Sequence, residues 1–214
     1  NNTTSMELID GRSGKKQTMP ERRSSGTALQ KHSEKSFAVI ERYGNGLQFA
    51  GTFPPSIQTT CARHMERSFM GDSPTLGVLR QAYPYEQIEA WLTAHIEDLN
   101  DYVGVSEKMN PKQMYSLIDI ITTEYYYLKV SELMVFFYKL KAGTYGRFYG
   151  TVDPIAVSNA LIEFTAYRRA QIESYERERR SKDRDKQMDE WNAKAVPCPD
   201  NLVFIQKVIK DLNE

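Results

Sequence analysis

The sequence predicts a mainly α-helical protein: a compact helical bundle with a disordered N-terminal arm and an extended, charged C-terminal helix. Three observations carry this. Apolar residues recur at intervals of three and four from about residue 56 to 167. Helix start and stop signals punctuate that stretch, notably Asn110 with Pro111, Gly143, and Asp153 with Pro154. From Arg168 to Glu190 the chain then becomes almost wholly charged.

The N-terminal arm has no apolar period. Residues 1–36 are rich in Ser, Thr and Gly, with seven Lys or Arg against four acids. Such a segment buries too little apolar surface to offset ordering the whole of it, so it reads as disordered or only locally ordered. It reads either as a solubilising tail or as a basic arm that touches nucleic acid. The whole arm is drawn as 1–53. Its last part, 37–52, admits a hairpin about Gly44, Asn45 and Gly46, or a short helix over 35–43. Pro54 and Pro55 then lead extended chain into a helical domain over 54–168.

Within that domain, Ile57, Cys61, Met65 and Phe69 stack at a spacing of four, predicting one helix over 56–70. Ser73 and Pro74 form a cap and first-turn pair for a short helix through Leu76, Leu79 and Ala82. Pro84 opens a longer helix with Ile88, Trp91, Leu92, His95, Ile96 and Leu99 on its buried face. A loop is expected over 100–110. Asn110, Pro111 and Gln113 then carry a cap, a first-turn proline and a side chain that reaches back. The stripe Met114, Leu117, Ile118, Ile121, Tyr125 and Leu128 follows. The next helix, begun by Ser131, is apolar around most of its circumference and is predicted to be the most buried. Gly143 stops it. Asp153 and Pro154 launch a helix through Val157, Ala160, Leu161, Phe164 and Tyr167.

From 168 to 190 eight basic residues face seven acids, with several opposite charges four apart, including Glu176 with Arg180 and Glu178 with Lys182. Residues 169–195 are therefore assigned to an extended, solvated helix. Pro197 and Pro199 break it. In 196–214 a short amphipathic helix follows through Leu202, Ile205, Val208, Ile209 and Leu212. A helix this short is not stable alone, so it is expected to dock on the body or on another molecule.

Composition bounds the function. Formal net charge is +0, so nothing general attracts the chain to nucleic acid or anionic lipid, and such binding would need a local patch. Two cysteines, Cys61 and Cys198, make neither a disulfide framework nor a zinc spacing. Their scarcity favours a cytoplasmic setting. No apolar run approaches bilayer length, and the N-terminus lacks an apolar signal core, so no membrane partner is expected. No metal, cofactor or catalytic constellation can be assembled. His32, His64 and His95 share no ligand spacing, and His95 reads as a partly buried ring near Asp98 and Asp101.

The segment 139–154 is the one stretch that reads as a site. Gly143, Gly146 and Gly150 alternate with Tyr145, Phe148 and Tyr149. A phosphate cradle is disfavoured, because the Lys-Ser/Thr pair of a P-loop is missing and Asp153 stands at the following helix start. The glycines read as turn formers between two helices, with Asp153 closing the turn. The aromatics either pack across the junction or stack on exposed bases. In the second case Lys139, Lys141, Tyr145, Arg147, Phe148, Arg168 and Arg169 form the contact surface. The run Tyr125, Tyr126 and Tyr127 is a second aromatic cluster, either covered or a contact patch.

The order of parts in 110–180 resembles a group of small helical proteins of Bacteroidetes chromosomes, mobile elements and phages. It runs from the Gln113-bearing helix start, through 125–133 and 136–153, to Tyr167, Arg168 and Arg169. The group's turn reads Gly-x-x-Gly-x-x-Tyr followed by a hydrophobic-Asp pair. Gly143, Gly146, Tyr149, Val152 and Asp153 match it, whereas Gly150 and Pro154 depart from it. The resemblance implies a non-enzymatic accessory factor of DNA replication, similar to a helicase loader, with a protein partner such as a replicative helicase and contact to single-stranded DNA. The other reading is a structural protein of a phage particle that homo-oligomerises through its helices.

Overall fold

A computed structural model describes residues 25–104, 107–195 and 200–212. The basic segment 1–24 and the proline break at 196–199 lie outside the described residues. All regular structure described is helical: α1 (Ser25–Tyr43), α2 (Gly46–Thr52), α3 (Gln58–Arg63), α4 (Met65–Met70), α5 (Leu76–Ala82), α6 (Tyr85–Val103), α7 (Pro111–Glu124), α8 (Val130–Lys141), α9 (Pro154–Lys194) and α10 (Asp200–Leu212). A 3-10 turn, Pro55–Ile57, precedes α3.

α8 is the axis of the body. Val130, Leu133, Met134, Val135, Phe136, Phe137 and Leu140 are all buried, so most of its circumference is covered, as its composition predicts, and only Tyr138 near its end is exposed. α3, α4, α6 and α9 pack around it. The Phe136 ring lies 5.4 Å from Phe164 of α9 and 5.5 Å from Phe137, which stacks on His95 of α6. Replacing one such ring by Ala typically costs about 3–5 kcal/mol.

The segment 37–53 is not an arm and contains no hairpin. α1 lies against α5. Asn45 caps α2 by a reciprocal capping box with Gln48, 3.0 and 2.9 Å. Gly44, at φ 74°, turns the chain between α1 and α2. Phe49 sits among Phe53, Tyr83 and Trp91 with centroids 5.3–5.5 Å away. Val39, Phe49 and Phe53 thus belong to the core, and aromatic burial overrides the weak local signal. The backbone is helical from Ser25, a local order within the N-terminal arm.

Other boundaries also moved. The predicted helix over 56–70 breaks at His64 into α3 and α4. α6 runs through Leu99 and Asn100, both buried, until Gly104 ends it at φ 64°. α5 is capped by the Thr75 hydroxyl rather than by Ser73. α7 stops at Glu124, leaving Tyr125, Tyr126 and Tyr127 in a turn. The cause is common to the last two. The chain at 126–130 runs beside 74–77, where Tyr126 O accepts from Gly77 N at 2.7 Å, Leu128 O from Leu76 N at 3.0 Å, and Pro74 O from Val130 N at 2.9 Å. These bonds between segments displace local helix continuation.

The strongest sequence signals hold. Asn110 and Gln113 exchange two 3.0 Å hydrogen bonds. The Asp153 carboxylate accepts from Ile155 N at 2.9 Å, with Pro154 in the first turn. Gly143 terminates α8 in a Schellman arrangement: Gly143 N donates to Leu140 O and Thr144 N to Lys139 O, each at 3.0 Å, with Gly143 at φ 72°. A Cβ there would meet nothing closer than 3.9 Å, so only backbone conformation penalises a side chain. Gly143→Ala is expected to lower stability by about 1–2 kcal/mol in urea titration, the penalty of a left-handed non-glycine residue.

α9 is continuous for 41 residues, about 60 Å at 1.5 Å per residue. The charged extension was expected to leave the body at residue 169. Ile172 and Tyr175 still pack against the core, so the departure comes nearly two turns later.

Candidate functional site

The corner between α8 and α9 holds the predicted contact residues. After the Schellman turn, Gly146 (φ 100°) and Gly150 (φ 75°) redirect the chain. Residues 150–152 then meet Glu107: Glu107 N donates to Gly150 O at 3.2 Å and Val152 N to Glu107 O at 3.3 Å. Val152 is wholly buried, which pins the corner before Asp153 starts α9. A surface groove of about 210 Å³ runs between Tyr102, Lys141, Gly146, Arg147 and Phe148.

The seven predicted contact residues do not form one free patch. The Lys139 ammonium stands 4.1 Å over the Tyr167 ring, clamping α8 to α9. Lys141 is ion-paired with Asp98 and is mostly covered. Arg168 Nε lies 2.8 Å from Glu132 Oε1, and its guanidinium is 5.7 Å from the Tyr127 ring. The Tyr145 ring packs 6.2 Å from Phe136, and Phe148 also lies half-buried on the core. The Tyr145 hydroxyl is enclosed without a hydrogen-bond partner, and burial raises its pKa. Arg147 and Arg169 are exposed, as is Tyr149 at 84%. Core packing therefore accounts for Tyr145 and Phe148. Tyr149, which the resemblance pattern contains, is the ring that the corner displays.

Sequence reasoning missed a polar junction beneath the corner. Glu132 is wholly buried at the third position of the most apolar helix. Its Oε2 accepts from Lys129 N at 2.8 Å, and its Oε1 meets Arg168. The Arg168 Nε–H is off line, so this contact is an ion pair without an aligned hydrogen bond. Lys129 Nζ donates to Phe69 O at 2.7 Å and to Gly71 O at 2.8 Å. The Ser131 hydroxyl donates to Ser68 O at 2.7 Å and also meets the Ser73 hydroxyl. One cluster thus ties the 68–73 segment, the start of α8 and α9 together. The available signal was an acid inside an otherwise apolar helical run.

His95 is a second buried polar point. Its Nε2–H donates to Phe53 O at 3.1 Å, while Nδ1 accepts from Gln58 Nε2 at 2.9 Å. The Trp91 indole N–H donates to the same carbonyl at 2.8 Å. Asp98 reaches the ring only through Gln58, at 3.4 Å. The sequence expectation of a partly buried ring beside a helix-end acid is corrected to a wholly buried one held by an amide and a carbonyl. Burial lowers its pKa to about 4, the Phe53 carbonyl opposing.

Among the described residues, no three His, Cys, Asp or Glu side chains are grouped as metal ligands. No described helix is long and apolar enough to cross a membrane. α10 displays Phe204, Ile205, Val208, Ile209 and Leu212 to solvent.

Residues 108–196 match the sequence model of a family of unknown function (DUF6633). The match spans the α7–α8–α9 unit, including Glu132, Arg168 and the glycine corner. Comparison with curated proteins and with solved structures gave no match.

Two measurements check this geometry. Arg168→Met leaves the Glu132 carboxylate buried beside apolar groups and is expected to cost about 3 kcal/mol, with Glu132→Gln added to it recovering much of the loss. Urea titration of the single and double variants reads this. For His95 the unfolded chain takes up a proton near pH 6.5 and the folded protein near 4. Between these values the unfolded state binds more protons. Its contribution is present above pH 6.5 and is lost as pH falls toward 4, by about 3 kcal/mol in total. His95→Gln is expected to flatten the stability profile across that window.

Proposed function

We propose that this chain is a non-enzymatic interaction protein in which a rigid body carries a projecting helix, α9, whose end presents α10 to a protein partner. The observation that carries the reading is the apolar face of α10, with Phe204 68% and Leu212 78% exposed. Ile205, Val208, Ile209 and Leu212 recur at helical spacing, the pattern by which a helix fills a groove. The interactions of the corner agree with this emphasis, because most of its cations hold the body together.

The narrower form of the proposal is a cytoplasmic accessory factor of DNA replication in a mobile element or phage, similar to a helicase loader, with a replicative helicase as partner. Its support is the resemblance of residues 110–180. Single-stranded DNA contact in this reading rests on Arg147, Arg169 and Tyr149, the exposed members of the corner.

Affinity capture from host extract tests both levels. The full chain is expected to retain a replicative helicase, and Ile205→Asp with Ile209→Asp to lose it. Binding to single-stranded DNA is expected to weaken with salt and with Arg147→Ala plus Arg169→Ala. Recovery of no replication protein, together with salt-insensitive or absent DNA binding, overturns the replication role.

A further inference from the structure

The solvent face of α6 is recessed between its neighbours. Two surface depressions, about 390 and 420 Å³, lie either side of Ala90 and Ala94, which line both. The first is walled by Leu47 and Ala50 of α2 and by Pro54 and Pro55, and buried Trp91 also lines it. The second is walled by Glu86, Glu89 and Glu97 and, from α7, by Tyr115. One side of the recess is therefore apolar and the other acidic. Helix geometry separates the two in the same way. About the α6 axis Glu89, Glu86 and Glu97 span roughly 80° of the exposed arc, and Ala90 and Ala94 lie in roughly the next 60°. Both alanines are exposed and one turn apart, and neither has a side chain beyond Cβ, so a second helix can approach this ridge closely. Leu47 stands 82% exposed at the edge of the apolar side. Among the described residues no lysine or arginine lines either depression, and Glu86, Glu89 and Glu97 take part in no ion pair.

We infer that this face of α6 is a docking groove for an amphipathic helix of a partner protein, one whose apolar ridge is flanked by lysines or arginines. The ridge seats over Ala90 and Ala94 against Leu47, Pro54 and Pro55, and the basic flank meets Glu86, Glu89 and Glu97 along about 16 Å of α6. Three carboxylates without cations of their own select that flank and repel a helix carrying acids beside its apolar ridge. The chain's own α10 lacks such a flank, which argues against a second copy as the occupant. Around α10, Asp211 falls between Lys207 and Phe204, Gln206 stands at the other edge of the apolar face, and Lys210 lies nearly opposite that face. The groove is on a different element from α10, so neither surface depends on what the other binds.

The test is fluorescence anisotropy with the full chain and two synthetic, fluorescein-labelled helices of about five turns. Both carry leucines at helical spacing; one has lysines along the flank of that stripe and the other glutamates. The lysine-flanked helix is expected to bind saturably, to weaken as salt rises, and to bind at least about tenfold tighter than the glutamate-flanked one. Glu89→Lys with Glu97→Lys is expected to reverse that preference. Ala90→Arg with Ala94→Arg fills the ridge and is expected to abolish binding, with circular dichroism verifying that the helix content is kept. Ile205→Asp with Ile209→Asp, on α10, is expected to leave the binding of both helices unchanged, which separates this groove from the α10 surface. Absence of saturable binding, equal binding of the two helices, a preference that survives the Glu89→Lys and Glu97→Lys swap, or binding that survives Ala90→Arg with Ala94→Arg each overturns the inference. Sedimentation equilibrium adds one further outcome: self-association of the wild-type chain that Ala90→Arg with Ala94→Arg removes would assign the groove to a second copy and overturn it likewise.

Discussion

A carboxylate removed from water at the first turn of the central helix constrains much of this fold. Glu132 cannot remain charged beside Leu133 and Phe136 unless positive groups and N–H donors surround it. The Lys129 backbone supplies one donor, and Arg168, thirty-six residues along the chain, supplies the charge. Arg168 can reach it only if α9 returns alongside α8. The glycine corner makes that return possible, with three left-handed glycines between the two helices. The conformational freedom of the corner and the buried charge are two parts of one requirement.

The same junction explains why several helices end where they do. Lys129 binds the carbonyls of Phe69 and Gly71, and the adjoining chain exchanges main-chain hydrogen bonds with 74–77. The Tyr126 and Leu128 carbonyls accept from the Gly77 and Leu76 amides and the Val130 amide donates to Pro74, so these groups are committed to the 74–77 segment. Tyr125, Tyr126 and Tyr127 therefore form a turn, although their composition suits a continuing helix. Gly77 admits the close approach: a Cβ there would stand 3.3 Å from the Tyr126 carbonyl.

Cations near the corner divide into two kinds with different physical roles. Lys139, Lys141 and Arg168 face aromatic or acidic partners within the body, and the side chains of Lys141 and Arg168 are mostly covered. Arg147 and Arg169 face water. A linear reading sees five positive residues in one region and infers a patch, because charge is visible in sequence and pairing is not. Among the described residues, exposed charge is dense on the α9 extension, where interspersed signs leave no single-sign field. Such a surface favours short-range, register-dependent contacts over long-range attraction.

Local chemistry was enough to establish from sequence the helical class, the buried status of α8, the caps at Asn110 and Asp153, the stop at Gly143 and the long charged helix. Each of these depends on residues within a turn or two of one another, so their spacing along the chain is their geometry in space. The N-terminal helices joining the core through Phe49, the break at His64, the Glu132–Arg168 pair and the amide and carbonyl around His95 were decided by tertiary structure. Their partners lie tens of residues apart, and the energy that selects them is the desolvation and close packing of groups that meet only once the chain has folded.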